Sequence, residues 1–250
     1  ISMKPKLISS NNGLTIKNLR KSLSKKTIVR DVSLNVQRGQ TIGLLGPNGA
    51  GKTTTFYMIM GLIQPDSGEI NLDNNDIIAL PMHERARLGI GYLPQQPSIF
   101  RGMSVEDNIM SILETKKYTM EQRQNSLEEL LTDFSLTHLR RAMPYMLSGG
   151  ERRRTEIARC LASDPKLILM DEPTAGVDPI GISDIKNLIK QLIKRNIGVL
   201  ITDHNVREVL DICDYSYVLH SGEIIAEGDS DMIIGNKDAR KLYLGDSFRV

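Results

Sequence analysis

The sequence lacks several features that would place it in a specialised structural class. It has no tryptophan, and its two cysteines, Cys160 and Cys213, are too few for a disulfide framework. We expect both to be reduced thiols in the core. The longest apolar stretches, residues 167–170 and 197–201, are far shorter than the roughly 20 residues that a membrane-spanning helix needs. The first residues also lack the charged-then-apolar pattern of a signal peptide. We therefore expect a cytoplasmic protein that does not insert into a membrane.

The sequence also lacks an excess of either charge. It has 32 lysines and arginines against 30 aspartates and glutamates, a formal net charge of +2. This balance gives no overall electrostatic attraction to nucleic acid or anionic lipid, and we predict that nucleic acid is not a partner. Hydrophobic residues make up 40% and charged residues 25%, as in ordinary globular proteins. With 250 residues, the chain is long enough for one lobed domain with a substantial core.

The hydrophobic pattern predicts an α/β fold. Short alternating segments from Leu14 to Arg38 indicate a small antiparallel sheet near the N-terminus. Two continuous apolar runs, which end at Asp171 and Asp203, are typical of strands buried on both faces of a parallel sheet. Because functional residues gather at the carboxyl ends of such strands, we expect these two ends to line a site.

A helical segment interrupts this α/β pattern. Residues 104–107 and 119–122 both begin with a hydroxyl side chain and end with an acid or amide, the pattern in which the two side chains cap a helix start. We predict a single domain over residues 1–250. Within it, residues 13–96 and 163–250 would form a catalytic α/β lobe, and residues 97–162 an inserted helical lobe.

A glycine-rich segment between a strand and a helix matches the phosphate-loop pattern. Glycines let successive backbone N–H groups curl around phosphate oxygens at a helix N-terminus. The lysine adds a positive charge at the β- and γ-phosphates, and the hydroxyl that follows can bind Mg²⁺. We predict that these residues bind a nucleotide: Gly46, Pro47, Asn48, Gly49, Ala50, Gly51, Lys52, Thr53 and Thr54.

Two acids close the strand that ends at residue 171. Asp171 is placed to hold Mg²⁺, and Glu172 is placed to polarise an attacking water. Taken alone, the pair could equally begin a turn before Pro173.

The segment Leu147-Ser148-Gly149-Gly150-Glu151 precedes a predicted helix. Ser148 and Glu151 fit an ordinary capping box. The same physics allows a functional interpretation, because a glycine-exposed helix N-terminus presents free N–H groups to an anion.

Taken in order, these motifs resemble those of ABC ATPases, over almost the whole chain. The family fold is a P-loop NTPase domain: a RecA-like mixed or parallel sheet core, an N-terminal antiparallel β subdomain and an inserted α-helical subdomain. The resemblance implies ATP and Mg²⁺ as ligands, with Gln95 reaching the metal and the attacking water and His204 contacting the γ-phosphate. It implies a homodimer in which Ser148, Gly149 and Gly150 complete the ATP site of the opposite copy, and Asp178 meets the partner.

One position departs from the family pattern. ABC ATPases usually stack adenine on an aromatic residue about where Leu23 falls, and no aromatic residue precedes Phe56 here. Base recognition must therefore rely on apolar contact or on another surface. We interpret Arg152, Arg153 and Arg154 as a solvated helix face that could also make contacts between the lobes.

Within the family, the chain most resembles the ATPases of lipopolysaccharide exporters. The likeness lies in residues 89–101, residues 147–154 and the tail from Tyr243 to Arg249. It implies two transmembrane subunits that dock near Phe100 and Arg101, and a peripheral position on the inner face of the inner membrane. Phe100 is alternatively a core residue of the helical lobe.

Two other functions stay open at this point. The ATPase of a branched-chain amino-acid importer has similar size and motifs. An ABC protein of DNA repair or translation is disfavoured, because this chain has neither a long coiled coil nor a second nucleotide domain.

Overall fold

A computed structural model describes residues 12–24, 26–175, 177 and 179–245 of the chain. Its strands form one ten-stranded sheet, in the order β5-β4-β1-β2-β10-β9-β3-β8-β7-β6. Their bounds are β1 Gly13–Leu23, β2 Lys26–Gln37, β3 Thr41–Leu45, β4 Ser67–Leu72, β5 Asn75–Asp76, β6 Ile90–Leu93, β7 Leu167–Asp171, β8 Gly198–Thr202, β9 Tyr215–His220 and β10 Glu223–Gly228.

The parallel part of the sheet holds the carboxyl ends that the sequence predicted. Strands β9, β3, β8, β7 and β6 are parallel neighbours in that order. In their register, Ile201 of β8 lies between Gly43 of β3 and Met170 of β7. Every residue of β3 and β8 is buried. Continuous apolar runs suit such strands because both faces are covered, and their ends therefore meet at one edge of the sheet.

The antiparallel part begins at the N-terminus, as predicted. Strand β1 pairs with β2 on one side and with β4 on the other, both antiparallel. Leu14, Ile16 and Leu19 face the core, while Lys17 and Asn18 are exposed. Strand β2 joins the rest of the sheet through one parallel pair, Glu223 with Asp31. The turn between β9 and β10 also reaches β2, where the Arg30 amide donates to the Gly222 carbonyl at 2.8 Å.

Helices cover the sheet and form the lobe between β6 and β7. The three capping boxes suggested by the sequence are present, at Ser104, Thr119 and Ser148. The helices are α1 Lys52–Met60, α2 Met82–Leu88, α3 Val105–Leu113, α4 Met120–Asp133, α5 Gly149–Leu161, α6 Pro179–Lys194, α7 Val206–Ile212, α8 Ser230–Gly235 and α9 Lys237–Ala239. Short 3₁₀ turns cover Thr137–Leu139 and Pro144–Met146, and a π-helical turn covers Arg240–Leu244.

Two large hydrophobic clusters lie on opposite faces of the sheet. One joins α3, α4 and α5 to one face of the parallel strands through residues such as Ile109, Leu131 and Met170. The other packs α1 between the antiparallel strands and the opposite face, with Phe56 fully buried. The helical segment therefore shares a hydrophobic core with the parallel strands. The predicted division at residues 97 and 162 stays a prediction.

No helix in the part of the chain that the structure describes combines the length and apolarity of a membrane span. Both cysteines are free thiols, as expected, and burial raises the pKa of Cys160 to about 11.

Candidate functional site

The phosphate loop follows β3 and opens α1. Gly51, in a left-handed conformation with φ of 110°, stands at the N-cap of the helix, so no side chain covers its first N–H groups. Gly46 has no room for a side chain, because a Cβ there would lie 2.1 Å from the carbonyl oxygen of Leu219. The loop is thus shaped by its backbone and by the end of β9 behind it. Thr53 is exposed and Thr54 half-buried.

Lys52 lies inside this loop with only 7% of its surface exposed. Its ammonium donates to the carbonyl oxygens of Gly46 at 2.6 Å and Pro47 at 3.2 Å. Burial lowers the pKa of Lys52, while the carboxylates of Glu172, Asp171 and Asp203 oppose that change. The structure therefore holds one positive charge at the loop and three negative charges within electrostatic reach of it.

Asp171 ends β7 beside the loop. One carboxylate oxygen accepts a hydrogen bond from the Thr202 hydroxyl at 2.7 Å, and the other lies 3.5 Å from the Tyr92 hydroxyl. Burial and the nearby Asp171 raise the pKa of Tyr92 to about 12, so this phenol keeps its proton. Neither Thr202 nor Tyr92 was predicted. Their strand-end positions were the available signal, because parallel neighbours place their ends together.

Glu172 lies beside Gln95 and His204, the two other residues to which the family resemblance gives a catalytic role. The Gln95 amide donates to its Oε2 at 2.9 Å, and His204 Nδ1 lies 3.3 Å from the same oxygen. The backbone of Glu172 adopts φ of 43° and is held by its N–H donating to the Thr202 carbonyl at 2.8 Å. The structure thus gathers Gln95, Glu172 and His204 at one edge of the sheet, next to Lys52 and Asp171.

Asp203 is a further residue that the sequence analysis did not assign. It is fully buried and accepts hydrogen bonds from the Thr174 backbone N–H at 3.1 Å and from the Asn205 N–H at 3.0 Å. These bonds connect the end of β8 to the segment after Glu172. Asp203 also lies 3.4 Å from His204 Nδ1, so it helps to fix the histidine beside Glu172.

The glycine segment at the start of α5 faces outward. Ser148 caps the helix, and its N–H and hydroxyl both donate to Glu151 at 2.8 Å. These bonds lower the pKa of Glu151. Ser148, Gly149 and Gly150 are exposed, and a Cβ added at Gly149 would meet nothing within 4 Å. In the described residues, no hydrogen bond or ion pair joins these three residues to the phosphate loop or Glu172.

A buried carboxylate connects α5 to the loop after Gln95. Glu156, 3% exposed, accepts from the Ser98 N–H at 2.7 Å and from Arg153 at 3.1 Å, and Arg153 also donates to the Pro94 carbonyl. Of the two parts of the interpretation of these arginines, the solvated face does not hold for Arg153, whose side chain is only 15% exposed, whereas its bond to Pro94 is a contact between the lobes of the kind that was expected. Arg153 lies inside because a buried carboxylate requires a charged partner.

Four other predicted positions lie away from this edge or outside the described residues. Asp178 is outside the described residues, as is most of the tail that carried part of the family resemblance. Leu23 ends β1 and is 40% exposed. Phe100 is 47% exposed, with the Arg159 guanidinium 4.4 Å from the centre of its ring, and Arg101 is exposed. Phe100 is thus not buried in the core of the helical lobe.

The oxygen donors around the loop fit a magnesium ion. Thr53 offers an exposed hydroxyl, and Asp171 offers a carboxylate whose orientation is fixed by Thr202. Among the described residues, no group of three or more histidines, cysteines or acids could enclose a metal by itself. Such a sparse protein ligand set suits Mg²⁺, which keeps waters and binds substrate phosphates rather than entering an all-protein cage.

Comparison with known proteins decides the family. A family model described as ABC transporter matches residues 29–175. The lipopolysaccharide export system ATP-binding protein LptB of Acidithiobacillus ferridurans is 54% identical over 237 residues, which are 95% of this chain and 98% of that protein. The chain belongs to the ABC transporter ATP-binding family. The LptB of Escherichia coli K12 is 52% identical over 238 residues, covering 95% of this ABC ATPase and 99% of that protein.

Solved structures agree with this assignment. The ADP conformation of MJ1267, an ATP-binding cassette of an ABC transporter, superposes with a TM-score of 0.83 at 30% identity. The superposition covers 93% of this chain and 98% of the MJ1267 chain. The ABC ATPase described here is thus the ATP-binding subunit of a transporter. It binds and hydrolyses ATP, and its fold class is the one the sequence predicted.

Proposed function

We propose that this ABC ATPase powers a lipopolysaccharide exporter, as a homodimer bound to two transmembrane subunits. The observation that carries the proposal is the identity of 52–54% to proteins named for lipopolysaccharide export, over nearly the full length of both chains. The position that follows is peripheral, on the cytoplasmic face of the inner membrane.

In the proposed reaction, the phosphate loop binds the triphosphate of ATP. Backbone N–H groups from Gly46 to Thr54 surround the phosphates, and Lys52 adds its charge at the β- and γ-phosphates. Thr53, Asp171 and Gln95 would hold Mg²⁺, which neutralises the charge on those phosphates.

Glu172 then acts as the general base. Its Oε2 is occupied by Gln95 and lies beside His204, so the carboxylate is held in one orientation. The other oxygen has no hydrogen-bond partner among the described residues, so it is available to take a proton from the attacking water. His204, whose side chain is 58% exposed, would contact the γ-phosphate, as the family resemblance implies.

The homodimer completes each site. The exposed N-terminus of α5 has open space around Gly149. Ser148, Gly149 and Gly150 would bind the ATP held by the partner's phosphate loop, with the positive end of the helix dipole toward the γ-phosphate. Asp178 is proposed at the same boundary, from the family resemblance alone.

The transmembrane subunits would dock beside Phe100 and Arg101. The Phe100 ring packs against the guanidinium of Arg159 and is partly exposed to solvent. Arg159 also lines an adjacent groove of about 260 Å³ between α2, β6, α3 and α5. An exposed aromatic ring next to an apolar groove is a suitable anchor for a helix from a partner.

Co-purification tests this function. The tagged chain is extracted from membranes in detergent, and the proteins that accompany it are identified. Partners with large periplasmic domains support lipopolysaccharide export. Compact permeases together with a periplasmic amino-acid-binding protein would instead assign the chain to a branched-chain amino-acid importer.

A further inference from the structure

Two large apolar side chains project from the turn just before α5. Tyr145 is 79% exposed and Met146 is 65% exposed. The turn itself is fixed, since Pro144 and Leu147 are buried and the Met146 N–H donates to the Met143 carbonyl at 2.9 Å. Neighbouring exposed apolar side chains on an ordered turn are typical of a contact surface rather than of a loop tip.

Tyr145 is unusual among the aromatic residues of this chain. Of the aromatic side chains that the structure describes, only Tyr145 and Phe100 are exposed. One face of the Phe100 ring is already covered by Arg159, whereas Tyr145 makes no ring contact or hydrogen bond within residues 12–24, 26–175, 177 and 179–245. Tyr145 is therefore the one ring in the described chain with both faces free.

The phosphate loop lacks a ring of its own for the base. The first three strands and the loop contain no aromatic residue, and Leu23 stands at the tip of the β1–β2 hairpin. Leucine offers apolar contact but no ring face. The N-terminal sheet therefore offers no aromatic ring on which a purine bound at this loop could stack.

The position of Tyr145 in a dimer rests on the proposed function. There, Ser148 contacts the γ-phosphate of the ATP bound by the other copy. Tyr145 is three residues before Ser148, so their Cα atoms cannot be more than about 10 Å apart. The adenine of that ATP lies at the far end of the same molecule, at a comparable distance from the γ-phosphate. The length of chain between Tyr145 and Ser148 is therefore sufficient for the ring to reach the base.

We propose that Tyr145 stacks on the adenine of the ATP bound by the phosphate loop of the other copy. The base contact is then made only when the dimer closes. The chain would recognise adenine at the closing step, rather than when ATP first binds to an open subunit.

The test uses the Glu172→Gln chain, in which the ATP-bound dimer accumulates because hydrolysis is blocked. Dimer formation is followed by light scattering as the ATP concentration rises. Adding Tyr145→Ala should raise the ATP concentration for half-maximal dimerisation about fivefold to tenfold, equivalent to about 1–1.4 kcal/mol. The matched control Tyr145→Phe keeps the ring and should remain within about twofold of the parent.

A second measurement distinguishes a contact of Tyr145 with ATP in its own subunit from a contact with ATP in the other subunit. In a Ser148→Arg background, where the dimer cannot close, Tyr145→Ala should leave the dissociation constant for ATP unchanged. A loss of affinity in this open chain would overturn the proposal, because the ring would then act within its own subunit. Equal ATP dependence of the Tyr145 and Tyr145→Ala dimers would overturn it as well.

These outcomes are distinguishable from failure of the proposed function. If the Glu172→Gln chain stays monomeric at saturating ATP, the sandwich dimer is wrong and the inference falls with it. If that chain dimerises normally and Tyr145→Ala has no effect, only the role of Tyr145 is wrong. As a direct check, 8-azido-ATP bound to the Glu172→Gln dimer should label the tryptic peptide 142–152, and labelling confined to the N-terminal sheet would contradict the stacking.

Discussion

Glu172 has a backbone conformation that few residues other than glycine adopt, with φ of 43°. Holding such a conformation costs on the order of 1–3 kcal/mol, and the cost persists only where neighbouring bonds enforce it. Here the Thr202 carbonyl fixes the backbone and Gln95 fixes the side chain. The carboxylate is therefore aimed beyond the end of β7 rather than back along the sheet.

We predict that Glu172→Gln nearly abolishes steady-state ATP hydrolysis while ATP binding survives. The amide keeps the shape of the side chain and still accepts a hydrogen bond from Gln95, but it cannot take a proton from water. Steady-state phosphate release and equilibrium nucleotide binding measure the two properties separately. Retention of more than about a tenth of the wild-type rate would contradict the role of Glu172 as base.

Leu23 tests how the base is held within one subunit. Stacking of a base on an aromatic ring contributes about 1–3 kcal/mol in single-strand binding proteins, and leucine offers no such face. We predict that Leu23→Tyr tightens ATP binding about fivefold to tenfold, if about 1–1.4 kcal/mol is recovered. It should also increase the preference for ATP over GTP, because a fixed ring favours one orientation of the base.

Nucleotide titrations of Leu23→Tyr and of Leu23→Ala, as the matched control, measure both effects. If the tyrosine changes neither the dissociation constant nor the ATP/GTP ratio in a folded protein, Leu23 does not face the nucleotide.

At the level of elements, side-chain hydrogen bonds join α5 to the loop that follows β6. Glu156 and Arg159 of α5 hold Ser98 through its N–H, carbonyl and hydroxyl groups, and Arg153 holds the Pro94 carbonyl. This loop carries Gln95 at one end and Phe100 at the other. If the transmembrane subunits dock at Phe100 as proposed, a displacement there would reach both Gln95 and the helix that begins at Ser148.

We predict that Glu156→Ala lowers the free energy of unfolding by about 3–5 kcal/mol, since it leaves Arg153 buried without its partner. Denaturant unfolding gives this value directly. Glu69→Ala is the matched control, because Glu69 and its partner Lys17 are both mostly exposed. The free energy of unfolding of this variant should change little. Equal effects of the two substitutions would mean that Glu156 does not fasten the loop.

Phe100→Ala should separate partner binding from folding. The ring is half exposed, so its loss removes mainly the contact with Arg159, about 0.5–1 kcal/mol at an exposed site. ATPase activity of the isolated chain should stay largely intact, whereas recovery of the transmembrane subunits in pull-down should fall, as for a truncated interface anchor worth about 2 kcal/mol. A marked drop in melting temperature would show that Phe100 serves the fold instead.

For the whole molecule, the proposed homodimer requires two chains at each ATP site. We predict that Lys52→Ala and Ser148→Arg chains, each inactive alone, regain part of the ATPase activity when mixed. In the mixed dimer, one site loses both its lysine and its serine while the other keeps both. Rates measured across mixing ratios should peak near equal amounts, and a flat, inactive series would count against a sandwich in which one intact site suffices.

The sequence by itself determined the local features of this protein. The phosphate loop, the three capping boxes and the fully buried strands each depend on residues within a few positions of each other. Their patterns can therefore be recognised in the sequence before the fold is known. The positions of Gln95 and His204 were assigned through family resemblance, because neither residue has a local signature that marks it as catalytic.

Tertiary structure alone decided which side chains meet. Gln95 and Glu172 are 77 positions apart, and they contact each other only because β6 and β7 are parallel neighbours that end at the same edge. The same holds for Arg153, whose sequence context of three consecutive arginines favours solvent. Its burial follows from Glu156 and the Pro94 carbonyl, which come together only once α5 packs against the loop after β6. Local hydrophobic periodicity does not predict contacts of this kind, because they form between distant parts of the chain only when the whole sheet has packed.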